Sequence, residues 1–440
     1  MKVFINWRQC SIIEKKVEHF MDLKIYPSEL SGFVEAPPSK SLTHRALIAA
    51  AFSLGLSVIN HPLICEDTQA TIKSLQNLGV DLTFYEDHIV VGGKKALTNP
   101  KKPFPCHESA STLRMLGPAL SVFLDGFAFQ GSDYLFDRVK KSYHSELKGL
   151  KISREQKNIV TISGKLSEKD YYLSGETTSQ IITGMIMALP FLAVGTVLHL
   201  EDITIQNPYI NMTIQVCLKF GVNFLFPDNQ TIIWDERTGY TPTSIFIEDD
   251  FSNAAFWLGA SCFNHDLRVR ASASDSLQGD VAIFDFLKTM GISFQNDKGD
   301  FRYSQGQIGD ATLDITETPD LGPILAAVAS LGTGTVIIRG IDKLSYKESN
   351  RAVSIQDGIN RLGGNVKIEE NRMIIQGNHQ LEGGCEVESY NDHRIVMALS
   401  ILAGNCKLPF VIRNFLSVNK SYPNFFDEYQ KLGGKVEVVA

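Results

Sequence analysis

The chain has 440 residues, of which 44% are hydrophobic and 21% are charged, and its formal net charge is −7. This composition is that of a globular protein with two or three domains. The negative balance does not favour nucleic acid or an anionic membrane as a partner. The seven cysteines show no spacing typical of zinc ligands or of a redox pair, which indicates reduced thiols in a cytoplasmic protein.

Two segments could be mistaken for membrane-directed sequence. The first twenty residues contain too short an apolar run and too many early charges for a signal peptide. Residues 181–200 contain no formally charged residue, as a membrane span would. Because Gly184, Pro190 and Gly195 interrupt that run, we expect a buried helix followed by a strand.

A pattern that recurs about every 70 residues extends over the whole chain. In each copy a helical segment ends at a glycine and an apolar strand follows, as in NLGVDLTF and KFGVNFLF. Glycine tolerates the left-handed conformation that ends many helices, so the pattern predicts a helix, a turn and a strand in six places. The six glycines are Gly79, Gly149, Gly221, Gly291, Gly363 and Gly433.

A second element recurs in the same frame: a helix that is apolar nearly all round, then a turn and a strand. Such helices are buried on every side. Since each unit mixes helices and strands, we expect two α/β domains of three units each. The six apolar segments begin at Thr43, Thr112, Gln180, Asn253, Leu321 and His393.

Polar residues precede or open each of these apolar helices. Serine, threonine and aspartate there are explained by helix capping. Capping does not explain Lys40, Arg45, Arg114 and Arg394, because cations near a helix N-terminus oppose its dipole. An anion bound beyond the helix ends would explain them. The residues therefore indicate a site for an anionic small molecule.

Further basic residues lie at the junctions between units: Lys347 and Arg351, Lys420, and Arg138. Each by itself is usually a solvated surface charge, but their shared position favours the anion site. The chain contains no phosphate-binding P-loop, dinucleotide fingerprint, zinc-protease motif or nucleophile elbow.

The ordered motifs resemble those of the 5-enolpyruvylshikimate-3-phosphate synthases, a family of enolpyruvyl transferases. They include PPSKSLTHRALIAAA, ESASTLRML, TTSQIITGMIM, PDLGPILAAVAS, YKESNRAVSIQDGINRLGG and YNDHRIVMALSILAG. The resemblance implies an α/β fold of two domains, each of three βαβαββ units, as an inside-out α/β barrel with the active site in the cleft between the domains. The implied boundaries are 39–250 for one domain and 1–38 plus 251–440 for the other. Residues 1–20 are interpreted as a possible N-terminal extension.

The resemblance also implies residue roles. The implied reaction is addition of the 5-hydroxyl of shikimate 3-phosphate to phosphoenolpyruvate, followed by loss of phosphate, with no metal or cofactor and in a monomer. Asp320 is the candidate base, and Glu348 with Lys40 the proton-handling pair. The implied shikimate 3-phosphate site is Ser41, Arg45, Thr178, Ser179, Gln180, Tyr209, Asp320 and Lys347. The implied phosphoenolpyruvate site is Lys40, Arg138, Gln180, Arg351, Arg394 and Lys420.

Several positions depart from the family pattern. Ala110 replaces a glycine beside the implied phosphoenolpyruvate site, which predicts reduced sensitivity to glyphosate, the inhibitor of the family. The roles of Gln206, Lys343 and Asn350 are left open because family residues of other types are expected there. Two alternatives also stay open: an enolpyruvyl transferase acting on UDP-N-acetylglucosamine, and a non-catalytic anion-binding relative.

Overall fold

The computed structural model describes residues 21–93, 100, 102–176, 178–235, 238–272 and 276–439, without the side chains of 140–146 and 155. The suggested N-terminal extension, residues 1–20, lies outside these ranges. Within them the chain forms twelve α-helices: α1 (Lys40–Phe52), α2 (Glu66–Asn77), α3 (Ala110–Phe123), α4 (Asp133–Glu146), α5 (Ser179–Ala188), α6 (Pro208–Lys219), α7 (Phe251–Ser261), α8 (Ile283–Thr289), α9 (Gly322–Ser330), α10 (Arg351–Arg361), α11 (His393–Ile401) and α12 (Phe425–Lys431).

The same ranges contain 24 strands. They are β1 (Asp22–Tyr26), β2 (Gly32–Glu35), β3 (Gly55–Asn60), β4 (Asp81–Phe84), β5 (His88–Gly93), β6 (Phe104–His107), β7 (Gly126–Gly131), β8 (Leu150–Gln156), β9 (Ile159–Gly164), β10 (Asp170–Ser174), β11 (Val197–Glu201), β12 (Phe224–Leu225), β13 (Thr231–Trp234), β14 (Ser244–Phe246), β15 (Leu267–Arg270), β16 (Ile292–Asp297), β17 (Asp300–Gly306), β18 (Ala311–Asp314), β19 (Thr335–Arg339), β20 (Asn365–Glu369), β21 (Arg372–Gln376), β22 (Glu386–Glu388), β23 (Phe410–Arg413) and β24 (Lys435–Val439).

These strands form six sheets of four strands each. In the sheet ordered β6-β7-β9-β8, β6 and β7 are parallel and the other neighbours are antiparallel. Helix α3 joins the parallel pair, as such a pair requires a crossover, and the chain then runs through α4, β8 and β9. This is one βαβαββ unit. The sixfold repeat and the α/β class are confirmed, in open sheets that form no closed barrel of strands among the described residues.

Three sheets are completed by strands from distant parts of the chain. Strand β14 pairs with β3, β2 pairs with β15, and β1 lies between β23 and β24. In each case a neighbouring strand in space is far away in sequence. The repeat pattern did not predict these long-range strand pairings, because it detects only helices and strands that follow one another along the chain.

The six glycines that the sequence placed after a helix all have positive φ angles, between 82° and 102°. A left-handed residue at this point turns the chain out of the helix and into the next strand. The prediction is confirmed for all six, including the weakest copy at Gly149.

The apolar helices form the core, as predicted. In α5 every residue from Ile181 to Ala188 is buried, and β11 follows after a short turn. The expected buried helix followed by a strand is therefore confirmed at 181–200. No helix in the described part of the chain is long and apolar enough to cross a membrane.

The chain divides into two compact units. The first comprises Pro37–Asp250 and Ser272–Val281; the second comprises the residues up to Ala36, Phe251–Ala271 and the residues from Ala282 onward. The boundaries expected from sequence did not place 272–281 in the first unit. That segment belongs there because Gln278 Nε2 donates to Glu248 Oε1 and to the Asp249 carbonyl, both at 2.7 Å.

Candidate active site

In the first unit, Lys40 at the start of α1 contacts two acids, one through its backbone amide and one through its ammonium group. Ser39 caps the helix, and the Lys40 amide donates to Asp250 Oδ2 at 2.9 Å. The Lys40 ammonium nitrogen lies 2.8 Å from Asp67 Oδ2, with the lysine side chain 12% exposed. Asp67 lies in the first turn of α2. The short, mostly buried ion pair therefore fixes the direction of Lys40.

Arg45 lies one turn further along α1 and is buried. Its Nε donates to Thr213 Oγ1 at 2.8 Å, and its Nη1 donates to the Ser41 carbonyl at 2.8 Å. Its Nη2 donates to Thr183 Oγ1 and to the Tyr209 carbonyl, both at 3.2 Å. Burial lowers the pKa of Arg45 to about 10. Protein oxygens thus account for four of its five N–H groups, and a bound anion is not needed to explain its burial.

The start of α5 places Gln180 beside Arg114. Thr178 caps the helix by accepting from the Gln180 amide, and Ser179 is its first residue. Gln180 Nε2 donates to Ser111 Oγ at 3.0 Å, and Gln180 Oε1 accepts from Arg114 Nη1 at 3.1 Å. The structure therefore brings Gln180 together with Arg114, which is buried at 3% exposure.

Arg138 is connected to this group through its backbone. Arg114 Nη2 donates to the Arg138 carbonyl at 3.4 Å. The Arg138 side chain is half-buried, and no acceptor among the described residues meets its buried Nε or Nη1. Its guanidinium lies 5.9 Å from the centre of the Tyr134 ring. Buried donors that lack acceptors are costly, so the Arg138 side chain is suited to bind an anion.

In the second unit, three cations surround one carboxylate. Asp320 lies in the turn that precedes α9. Its Oδ1 is 2.8 Å from Arg351 Nη1 and 3.0 Å from Lys347 Nζ, and its Oδ2 is 3.1 Å from Arg394 Nη2. Burial raises the pKa of Asp320, but the fields of Arg394, Lys347 and Arg351 outweigh burial and lower that pKa well below its ordinary value.

Arg351 is buried and ion-paired with three acids. Its Nε lies 2.8 Å from Asp392 Oδ2, and its Nη2 pairs with Glu348. Burial lowers the pKa of Arg351, but Asp392, Glu348 and Asp320 raise it above the ordinary arginine value. Asp392 is itself fully buried and accepts from Ser349 Oγ at 3.1 Å. The guanidinium is therefore held at a fixed position.

Arg394 and Lys420 lie around the start of α11. Asp392 caps this helix by accepting from the Arg394 amide at 2.9 Å, and Arg394 Nη1 donates to the Ser252 carbonyl at 3.3 Å. The buried Lys420 donates to the Asn391 carbonyl at 2.7 Å. Every predicted site residue of the second unit thus lies at one group of helix starts and adjoining turns.

Three residues that position the predicted ones were not assigned roles from the sequence: Asp67, Arg114 and Asp392. Asp392 and Asp67 looked like ordinary acids in a first turn or at a cap, and no pattern indicates which cation such an acid will meet. Arg114 was recognised as an unexplained cation but without a partner. Within the described residues, no three His, Cys, Asp or Glu side chains are grouped as metal ligands would be.

The structure shows the surroundings of the four residues that depart from the family pattern. Ala110 is the first residue of α3 and is buried, and Asn350 caps α10 by accepting from the Val353 amide. Gln206 is exposed, and Lys343 is half-buried in a short turn of helix. Asn350 therefore has a structural role that an acid could also fill.

Comparison with known proteins identifies the family of this chain. Residues 25–429 match the family described as EPSP synthase (3-phosphoshikimate 1-carboxyvinyltransferase). A 3-phosphoshikimate 1-carboxyvinyltransferase of Clostridium kluyveri is 34% identical over 426 residues, covering 94% of this chain and 98% of that protein. The enzyme of the same name from Clostridioides difficile is 33% identical over 429 residues, with the same two coverages.

Solved structures show the same fold. The EPSP synthase of Acinetobacter baumannii has a TM-score of 0.76 at 22% identity and covers 96% of this chain and 100% of its own. The enolpyruvyl transferase NikO from Streptomyces tendae has a TM-score of 0.74 at 15% identity and covers 95% of this chain and 98% of its own. At these identities the solved structures establish only the fold. The family membership follows from the sequence match, which extends over nearly the whole chain. The chain therefore belongs to the EPSP synthase family.

Proposed function

We propose that this protein transfers the enolpyruvyl group of phosphoenolpyruvate to the 5-hydroxyl of shikimate 3-phosphate and releases phosphate, a step towards chorismate and the aromatic amino acids. The observation that carries the proposal is the carboxylate of Asp320 held among Lys347, Arg351 and Arg394. Both substrates are multiply anionic, and the reaction needs a base close to cations that stabilise developing charge.

Phosphoenolpyruvate binds, in this proposal, through Lys40, Arg138, Gln180, Arg351, Arg394 and Lys420. The fork of an arginine can donate two parallel hydrogen bonds to a carboxylate or a phosphate. The buried donors of Arg138 support this role because they have no acceptor among the described residues. Arg351 and Arg394 already contact Asp320, so the substrate would exchange with an internal carboxylate.

Shikimate 3-phosphate binds, in this proposal, through Ser41, Arg45, Thr178, Ser179, Gln180, Tyr209, Asp320 and Lys347. The hydroxyl groups at the start of α5 and the amides of that helix end suit a phosphate. Arg45 contributes mainly by fixing the backbone of Ser41 and Tyr209, to whose carbonyls it donates. Asp320 and Lys347 would meet the ring hydroxyls.

The chemistry is an addition followed by an elimination. The 5-hydroxyl oxygen bonds to C2 of phosphoenolpyruvate and loses its proton to Asp320, while C3 gains a proton and becomes a methyl group. In the second step the C2–O bond to phosphate breaks, and the methyl group returns a proton to the protein, which restores the double bond. Glu348 and Lys40 are the proposed pair for C3. Proton transfers of this type contribute about 10²–10⁴-fold to a rate.

The test is phosphate release from phosphoenolpyruvate by the purified protein, with shikimate 3-phosphate and UDP-N-acetylglucosamine supplied in parallel. Release that requires shikimate 3-phosphate supports the proposal, and release only with the nucleotide sugar contradicts the substrate assignment. Absence of phosphate release with both acceptors favours a non-catalytic anion-binding relative. Lys40→Met should abolish release, whereas Lys407→Met, which removes an exposed partner of Glu382, is the matched control.

We further propose that the protein is a cytoplasmic monomer. Six cysteines lie in the described residues as free thiols, and five of them are buried, which fits a reducing compartment. Sedimentation of the purified protein at several concentrations tests the monomer, and fractionation of the source cells tests the compartment.

A further inference from the structure

A cavity of about 120 Å³ lies in the first unit between α4 and the hairpin of β8 and β9. Five of the side chains that line it are apolar: Leu113, Phe136, Val139, Ile152 and Val160. An apolar cavity of about 150 Å³ can hold a benzene ring. This cavity is somewhat smaller, at about 120 Å³, and its mainly apolar lining suits one aromatic ring.

The remaining lining includes a pair of opposite charges, Asp137 and Arg154. Arg154 Nη1 lies 3.5 Å from Asp137 Oδ1, with the two side chains 36% and 74% exposed. A pair this long and this exposed contributes little to stability, so a ligand can replace it. Arg154 also pairs with Asp133, which keeps its guanidinium at the cavity.

We propose that this cavity binds an aromatic α-amino acid. The ring would occupy the apolar part, the carboxylate would accept from the Arg154 guanidinium, and the ammonium group would meet Asp137. A ligand with both charges gains an ion pair with each of the two residues, whereas a ligand with one charge gains only one. An apolar ligand without charges would leave the Asp137–Arg154 pair in place and gain only from burial of its ring.

The cavity is next to residues of the candidate active site. Phe136 and Val139, which line it, flank Arg138 on α4, and Leu113 precedes Arg114 on α3. A ligand that fixes this turn of α4 would therefore shift the Arg138 guanidinium and weaken phosphoenolpyruvate binding. This inhibitory effect rests on the proposed function, because it assumes the role of Arg138; binding itself does not. The inhibitor would then belong to the class of end products that the proposed reaction serves.

Binding is tested by calorimetric titration of the full-length protein with L-phenylalanine. Three probes each lack one feature: 2-phenylethylamine has no carboxylate, 3-phenylpropanoate has no ammonium group, and L-alanine has no ring. We expect L-phenylalanine to bind at least about tenfold more tightly than each of them. No saturable binding up to about 10 mM, or equal binding of the three probes, overturns the proposal.

Two variants locate the site. Val160→Phe fills the cavity, and Arg154→Met removes the partner of the ligand carboxylate, so both should lose binding. Arg154→Met should also keep phosphate release without ligand close to that of the wild type. Arg372→Met removes an exposed strand arginine that pairs with Glu369 at 2.9 Å and should bind normally. If Val160→Phe does not fold, Arg154→Met still decides. Unchanged binding in Arg154→Met overturns the site.

Kinetics separate this proposal from the proposed function. Saturating L-phenylalanine should raise KM for phosphoenolpyruvate about 3–10-fold and leave kcat unchanged, and Arg154→Met should remove the effect. Binding without any change in this KM overturns the link to Arg138. Absence of phosphate release even without ligand overturns the proposed function instead, and the titration is then interpreted by itself.

Discussion

Replacing Asp320 by asparagine separates two roles of its carboxylate. In the structure it accepts from Arg351 Nη1 at 2.8 Å and from Arg394 Nη2 at 3.1 Å. In the proposed mechanism it also takes the proton of the 5-hydroxyl. The first role competes with the substrate for the two arginines, and the second serves the reaction. The substitution should therefore change substrate binding and turnover in opposite directions.

The expected sizes follow from these contacts. Loss of a base lowers kcat by about 10²–10⁴-fold. The Asp320 side chain is 18% exposed and both arginines are buried, so the cost of desolvation offsets most of the attraction within each pair; we take the net attraction for each arginine as about 1 kcal/mol. Removing this competing charge should tighten phosphoenolpyruvate binding by about 5–10-fold.

Phosphate release gives kcat, and calorimetric titration in the presence of shikimate 3-phosphate gives the Kd of phosphoenolpyruvate. The matched control is Asp314→Asn, because Asp314 is an exposed acid of the same unit that accepts from the Thr316 amide at 2.9 Å. The control should behave as wild type in both assays. A loss of binding that equals the loss of activity would refute the reasoning, since it would make Asp320 only an anchor for the arginines.

The pH dependence gives a second measurement on the same residue. Burial raises the pKa of Asp320, but Arg394, Lys347 and Arg351 lower it by more, so the net shift is downward. Asp320 can act as a base only in its deprotonated form, at pH values above this pKa. When phosphoenolpyruvate draws the arginines away, the pKa should rise. The acid limb of kcat should therefore lie at higher pH than that of kcat/KM for phosphoenolpyruvate. Coincident limbs contradict this exchange, and Asp320→Asn should lack the limb in its residual activity.

Three further substitutions test the site and the repeat. Asp392→Asn removes the fully buried one of the three acids that pair with the buried Arg351 guanidinium and should lower the free energy of unfolding of its unit by about 3–5 kcal/mol; a change under 1 kcal/mol in chemical unfolding would contradict this. Gly291→Ala should destabilise by about 1–2 kcal/mol because φ is +101° and the new Cβ lies 2.6 Å from the Gln307 carbonyl, whereas Gly309→Ala meets nothing within 4 Å and should be neutral. Ala110→Gly should make phosphate release about tenfold more sensitive to glyphosate, and equal inhibition of both proteins would show that the methyl group does not exclude the inhibitor.

The fold could be predicted from the sequence to the extent that it is local. A glycine after a helix and a helix that is apolar all round are signals within one unit, and both occur at each repeat, as Gly149 and α5 illustrate. The pairing of strands β1, β2 and β14 could not be predicted in this way. They complete sheets whose other strands are far away in sequence, so their pairing depends on how the units assemble.

The candidate site could likewise be predicted only in part: the sequence singled out several cations but not the acids that pair with them. In the sequence, Lys40, Arg114 and Arg394 stand out as cations near helix N-termini that helix capping does not explain. Their partners were not marked, because an acid such as Asp67 in a first turn is also what an ordinary helix favours. Sequence therefore predicts an anion site, whereas the identity of each ion pair follows only from the contacts.

The contacts also show that the cations of the two units are neutralised differently. In the second unit the three carboxylates of Asp320, Glu348 and Asp392 face the three cations Lys347, Arg351 and Arg394, so the cluster is already balanced. In the first unit the buried nitrogens of Arg138 meet no acceptor among the described residues. In the proposed mechanism, an arriving anion would gain new hydrogen bonds at Arg138 but would have to exchange with a carboxylate at Asp320. This exchange would cost part of the binding energy, and in return it would release Asp320 as a stronger base once the substrate is bound.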